Sequence, residues 1–378
     1  MSQRAEVNFK GRKLKVKSRV ARIVAPIISG ACLLLMLPTL SATTASAAPW
    51  MPGTGVPNPC VAAASCTYGY IVASAVPALV SMGDGVSAEA TNLGVGYSVQ
   101  SIGFNPSEQL TVMDNMISQG VSAIITSPLD VGSIQAGITA ATAAGIPVIF
   151  YDGSTGSAAS PGLTLNVINL DQNAGEYMVG QIAAKLKSEG KKCALGLVDG
   201  ITAVPALDHR DLGMAAGAKK YGCKVLSTQT DTADTASAAA TIAEQWKSQF
   251  GSKMTGVVSY NDDAETGVYG SVAGSSWKPV LVSFNGENAE LKLLAAGKVY
   301  EDDALANAVI GEGMAYGAYQ VLKGKTVPTT VESPYYLLTK KNAKSFTTDA
   351  DILAKPVGRI AFGQSGSTSI LTDSAFKS

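Results

Sequence analysis

Two similar α/β lobes, each built on a parallel sheet, are what this sequence predicts, and three observations carry the prediction. Short apolar runs alternate with amphipathic stretches from Tyr70 onward, which is the pattern of βαβ units. The cycle completes at Phe150 and starts again after a Gly- and Ser-rich stretch over 153–162. A length of 378 residues with 46% hydrophobic and 15% charged residues suits two cores of ordinary size and excludes disorder as the main state.

The elements follow in order. A strand over 70–73 leads to a helix over 85–93 that Gly94 stops, then to a strand over 97–102. A helix over 106–119 opens on Pro106 and closes on Gly120, and strands over 121–125 and 146–150 flank a helix over 131–144. The second half supplies helices over 174–188, 208–221 and 236–250 and one starting near Ala264. They are interleaved with strands over 193–198, 225–228, 256–259 and 279–283.

The zero net charge conceals an uneven distribution. Eight of the 29 basic residues and one of the 29 acidic residues lie in residues 1–22; the remaining 21 basic and 28 acidic residues give the rest a charge of −7. An acidic body lacks the cationic surface that attracts phosphate backbones, so no nucleic-acid partner is expected. The basic start precedes an uncharged apolar run over 23–40 and the small-x-small signature Ala45-Ser46-Ala47. This reads as a secretory signal peptide over 1–47. Pro26, Ser29, Gly30 and Pro38 interrupt the run, which counts against a retained membrane anchor. Cys32 after Ser29-Gly30-Ala31 resembles a lipidation site only weakly, since Leu33 to Leu37 continues the apolar run.

Outside the cytoplasm disulfides persist. Cys60 and Cys66 would close a short loop in an entry segment over 48–68. Cys193 and Cys223 each open an apolar run, and if those runs are neighbouring parallel strands a bridge is feasible; two unpaired buried thiols are the alternative.

In open parallel sheets ligands gather outside the carboxyl ends of the strands. Asp152, Asn261-Asp262-Asp263 and Asn285-Gly286 occupy such ends. Each can hold a hydroxyl group in a cleft or cap a helix, and three at equivalent positions favour a shared cleft. Catalytic signatures are missing: there is no Gly-x-Ser-x-Gly elbow and no P-loop, and Gly94-Val95-Gly96 lacks the third glycine of a dinucleotide fingerprint. The only histidine, His209, excludes a His-rich zinc site and reads as an exposed helix-start residue. Asp262, Asp263 and Glu265 lack calcium-loop spacing and read as a helix first turn. No enzyme activity, cofactor or metal is expected.

The order of these pieces resembles the ribose-type periplasmic binding proteins (type 1), the substrate-binding subunits of ATP-driven importers, from Tyr70 to Leu338. The resemblance rests on Gly120-Val121-Ser122-Ala123-Ile124-Ile125-Thr126-Ser127-Pro128 and on Ala144-Gly145-Ile146-Pro147-Val148 leading to Asp152. It continues in Asn169-Leu170-Asp171-Gln172-Asn173-Ala174-Gly175, Asn261-Asp262 with Gly267, and Phe284-Asn285-Gly286. It implies two hinged Rossmann-like lobes, 69–168 plus 307–334 and 169–303 plus 338–378; beyond Lys344 the resemblance fades, and the tail grouped with the second lobe is expected either to add a strand there or to remain mobile. Three crossings are implied, near 166–170, 303–307 and 335–338.

It further implies a ligand site that includes Pro77, Ala78, Asp152, Arg210, Asn261, Asn285 and Leu305. Asp152 and Asn261 would bind ligand hydroxyls and Arg210 would reach in from the second lobe; the bland reading of Arg210 is a surface cation paired with Asp208 or Asp211. The sequence departs from the family where Val76-Pro77-Ala78-Leu79 replaces an aromatic pair, where 231–236 holds no aromatic, and at Asn285 and Leu305. These changes weaken the case for a ring sugar and point to a smaller polyol, a linear molecule or a partly apolar compound against smooth walls, within the wider expected class of a small neutral sugar, polyol or related ligand. Tyr151 and Tyr260 are expected in the core, because strand alternation turns them from their neighbours. An exported monomer that feeds a membrane permease is the expected role, with a ligand sensor for a membrane receptor as the alternative.

Overall fold

A computed structural model describes residues 66–152, 161–355 and 360–374, with the backbone of 154–155 and 158–159. The expected signal peptide, Cys32 and Cys60 lie outside these residues. Cys66 is disulfide-bonded.

The first half runs β1 (Thr67–Val72), α1 (Pro77–Asn92), β2 (Gly96–Ser101), α2 (Pro106–Gln119), β3 (Ala123–Thr126), α3 (Val131–Ala143), β4 (Val148–Tyr151), the short pair β5 (Ser154–Thr155) and β6 (Ala158–Ala159), and β7 (Leu165–Ile168). The second half runs α4 (Asp171–Ser188), β8 (Ala194–Asp199), α5 (Pro205–Lys220), β9 (Lys224–Thr230), α6 (Ala236–Gln249), β10 (Gly256–Ser259), α7 (Asp262–Val272), β11 (Val280–Asn285), α8 (Asn288–Ala296) and β12 (Glu301–Leu305). After these come α9 (Asn307–Leu322), β13 (Thr330–Glu332), β14 (Tyr335–Thr339), α10 (Asp349–Leu353), β15 (Ile360–Ser365) and β16 (Thr368–Asp373).

Two sheets organise the chain. One has the order β15-β16-β13-β7-β4-β3-β1-β2, parallel except for the β15–β16 pair, and the other the order β14-β12-β11-β10-β8-β9, parallel except for β14. The inner strands β3, β4 and β10 are buried throughout, as strands covered by helices on both faces must be. The first sheet carries a separate apolar cluster on each face, and the second is wrapped by a cluster centred on Trp246, Trp277 and Tyr260. No helix among the described residues is long and apolar enough to cross a membrane.

The chain passes between the sheets after β7, at Ala306 after β12, and at Ser333 and Pro334 between β13 and β14. A fourth passage follows β14. The tail was expected with the second lobe, but α10 packs on α1 and α9, and β15 and β16 extend the first sheet beyond β13. The reason lies in edge pairing: β16 runs parallel to β13 and covers its open side, and Leu371 and Ile360 are buried with the first lobe's core.

The expected helix over 85–93 begins earlier, at Pro77, with proline at the first helical position. Gly83 and Gly85 argue locally against a helix, yet at Gly85 the backbone of α9 lies close. A Cβ there would sit 2.1 Å from the carbonyl oxygen of Ala308. The second lobe repeats the device, since a Cβ on Gly213 in α5 would sit 2.1 Å from the Gln172 carbonyl oxygen in α4. Cys193 and Cys223 precede the paired strands β8 and β9, with Cα atoms 4.7 Å apart, and are joined by a disulfide.

These packings separate two glycine substitutions. Gly213→Ala forces α5 off α4 and should lower stability by about 1–3 kcal/mol in urea unfolding. Gly270→Ala, at an exposed position in α7 where a Cβ meets nothing within 4 Å, should raise it by roughly 0.4–1 kcal/mol through the unfolded chain.

Candidate functional site

The two sheets meet across a cleft of about 650 Å³, part of it open to solvent. Its lining comes from strand ends and helix starts of both lobes, which is where open parallel sheets leave backbone groups unpaired.

Arg210 on α5 is the buried centre of this region. Its Nε donates to Asp171 Oδ1 at 2.6 Å, and its Nη1 donates to the Tyr260 carbonyl and to Asn285 Oδ1, each at 2.9 Å. The guanidinium carbon lies 5.2 Å from the centroid of the Phe284 ring, a cation–π contact. Burial is the largest single influence and works against the charge, but Asp171, Tyr151 and Asp303 together outweigh it and hold Arg210 protonated above its ordinary range. The surface pairing with Asp208 or Asp211 is therefore not formed.

Three polar residues at the cleft have left-handed backbone: Asp152 (φ 48°), Asp234 (φ 52°) and Asn285 (φ 122°). This conformation is unusual for side chains larger than glycine, although Asp and Asn tolerate it best. At Asp152 it ends the strand alternation, so Tyr151 and Asp152 both line the cleft. Tyr151 is buried in the first lobe's core, as expected, and lines the cleft as well. Tyr260 is fully buried, and its hydroxyl donates to Asp234 Oδ1 at 2.5 Å.

Asn261 has both roles weighed for it from sequence. Its Oδ1 caps α7 by accepting from the Ala264 N–H at 2.8 Å, while its Nδ2 donates to Asp234 Oδ1 at 3.0 Å within the cleft lining. Burial raises the pKa of Asp234, and the donors Tyr260 and Asn261 partly offset this. His209 is not the exposed residue expected: it is half-buried, with Nδ1 3.8 Å from Asp152 Oδ2 across the lobes.

Of the residues predicted from sequence, Ala78, Asp152, Arg210, Asn261, Asn285 and Leu305 line the same cleft. Pro77 does not. It is exposed at the start of α1, where its ring serves the helix and its neighbours Val76 and Ala78 face the cleft. Sequence reasoning missed Phe104, Asp234 and Asn307. Asp234 lies in the stretch singled out for lacking an aromatic, and the Gly103-Phe104 pair with positive φ after β2 could not be read from composition.

The passages between the lobes are tied to this lining. Asn169, just past β7, donates from Nδ2 to the Tyr151 hydroxyl, and its Oδ1 accepts from Ser333 at the third passage. Hinge segments and cleft wall therefore share one hydrogen-bonded chain.

Behind β11 lies a buried set of carboxyl groups: Asp262, Glu265, Glu287, Glu290 and Asp302. Ser283 donates to Asp262 at 2.6 Å and to Glu265 at 2.8 Å, and the Glu287 N–H donates to Asp262 at 2.7 Å. Burial pushes Glu265 up to about 8, Glu287 to about 8 and Glu290 to about 11; like charges within the set add to this at Glu265 and Glu290, and Asp263 and Asp234 add to it at Glu287. Among the described residues no His, Cys, Asp and Glu group is arranged to hold a metal ion.

The family described as periplasmic binding protein domain matches residues 70–326. The ribose import binding protein RbsB of Bacillus subtilis is 26% identical over 266 residues, covering 70% of this chain and 84% of that protein. A xylitol-binding protein of Mycolicibacterium smegmatis is 28% identical over 264 residues, covering 68% of this chain and 71% of its own. Among solved structures, a Mycobacterium smegmatis protein in complex with β-D-fucofuranose superposes with a TM-score of 0.68 at 21% identity, over 74% of this chain and 93% of that one. A solute-binding protein of Bacillus halodurans with bound myo-inositol gives 0.68 at 20% identity, over 76% and 98%.

Two outcomes follow from the electrostatics. Arg210→Met leaves Asp171 buried without its cation and should cost about 3–5 kcal/mol in urea unfolding, part of which Asp171→Leu in the same chain restores. The carboxyl cluster is protonated when folded and ionised when unfolded once pH exceeds the ordinary carboxylate range. Its stabilisation is therefore complete at acidic pH and is lost as pH rises toward and through 8. Melting temperature should fall between pH 6 and 9, and less steeply in Glu290→Gln.

Proposed function

The chain belongs to the periplasmic binding protein domain family, and from that premise we propose that its interlobe cleft captures a small uncharged sugar or polyol for delivery to an ABC-type membrane permease. The protein is an exported solute-binding protein and not an enzyme.

The observation that carries the choice of solute is the state of Arg210. Its charge is already matched by Asp171 inside the protein, so among the described residues the cleft lining offers no spare cation for a carboxylate or phosphate ligand. What remains are acceptors and amides, Asp152, Asp234, Asn261 and Asn285, which suit hydroxyl groups. Ala78, Leu79, Leu305 and Phe104 supply apolar contact for a carbon skeleton, with Phe104 and Tyr151 as the aromatic surface. Names of relatives support the class: they are described as binding ribose and xylitol, and the structural neighbours hold β-D-fucofuranose and myo-inositol.

Capture proceeds by hinge closure about the passages near Asn169, Ala306 and Ser333, so affinity reflects contacts from both lobes less the cost of closing. Both halves of the cleft come from one chain, which supports a protein that binds its solute as a monomer.

Thermal-shift measurements on the mature protein with D-ribose, xylitol, L-arabinose and myo-inositol test this reading. A binding solute at a hundred times its Kd should add about 2.7 kcal/mol of stability. Asp152→Asn keeps a residue tolerant of positive φ and should abolish that response while leaving the unliganded melting temperature within a few degrees. A normal response in this variant removes the cleft from the proposal, and stabilisation by sugar phosphates alone removes the uncharged solute.

A further inference from the structure

The C-terminal segment beyond the family match reaches the cleft wall. α9 begins at Asn307 without a side-chain cap of its own, because Ala306 occupies the capping position. The missing cap comes from Asp349 in α10, whose Oδ1 accepts from the Ala308 N–H at 3.0 Å. Asp349 also takes side-chain hydrogen bonds from Ser81 in α1 and from Asn307. A single carboxyl group from the tail thus joins α1, α9 and α10.

Its bond to Asn307 has a directional consequence. An asparagine amide carries donors on one side and an acceptor on the other. A carboxylate engages the Nδ2 side, so the remaining polar atom of Asn307 is Oδ1. Asn307 lines the cleft, is 2% exposed, and its Oδ1 has no hydrogen-bond partner. A buried acceptor left unmatched costs free energy that a donor entering the cleft would recover. The lining also includes Leu305 and Met82, whose side chains offer no donor.

We infer that Asn307 Oδ1 accepts a hydrogen bond from a hydroxyl of the bound solute, and that Asp349 is the positioning residue that keeps this oxygen turned to the cleft. This rests on the sugar or polyol reading above and makes Asn307 a specificity determinant: a solute without a hydroxyl at that place is rejected. It also gives the tail a role in recognition, although the tail lies beyond residue 326, where the family match ends.

Calorimetric titration of D-ribose and each of its monodeoxy forms into wild type and Asn307→Ala tests the acceptor. For one deoxy form, wild type should lose affinity on the order of tenfold, and Asn307→Ala should show the same loss with D-ribose and no further loss with that form. Losses that add for every deoxy form overturn the acceptor role. Hydrogen exchange of the Asn307 side-chain amide, followed by NMR without solute, tests the positioning: it should quicken at least tenfold in Asp349→Ala and be slowed again in Asp349→Asn, which keeps an acceptor oxygen. Unchanged exchange in Asp349→Ala overturns it. If D-ribose does not bind wild type, the acceptor role for that solute falls together with the ribose-like reading, while the amide exchange still decides the placement of Asp349.

Discussion

A guanidinium taken out of water must be matched on every side, and the arrangement of the second lobe follows from matching Arg210. Asp171 at the start of α4, the Tyr260 carbonyl at the end of β10 and Asn285 at the end of β11 each supply an acceptor. Together they fix the relative positions of two strand ends and two helices. Because the charge of this buried cation is matched by Asp171, the polar part of the cleft lining offers amides and carboxyl groups besides it.

The close glycine contacts serve the same end. Gly213 allows α5 to lie against α4, the pair that brings Arg210 to Asp171, and Gly85 allows α9 to lie against α1, the pair that supplies Ala78 and Asn307 to the cleft wall. Each lobe therefore places its cleft residues through one helix pair packed nearly backbone to backbone. Between the lobes, Asn169 and Ser333 join two passages to each other and to Tyr151, so a hinge rotation moves a cleft residue directly.

The fold was legible because its signals are local and periodic. Residues 106–119 carry proline and glycine at their ends, and the apolar runs of β3, β4 and β10 contain almost nothing else. The start of α1 was less legible, since Gly83 and Gly85 lower helix propensity for a reason that exists only when α9 is in place. The tail was misplaced because an edge strand joins whichever sheet leaves an open side of the right length, and the residues of β15 and β16 do not name that partner.

Sequence alone determined the alternation of strands and helices, the two-lobed architecture, the family, and six of the residues that line the cleft, because hydrophobic period and motif order survive in one dimension. Tertiary structure decided which charge meets which and where side chains turn. Arg210 faces Asp171 and not its helical neighbours, Asp152 and Asp234 leave the extended conformation, and the tail reaches α9 at Asp349. Such pairings depend on distances between residues far apart in the chain, and burial assigns their free energy only after the lobes have formed.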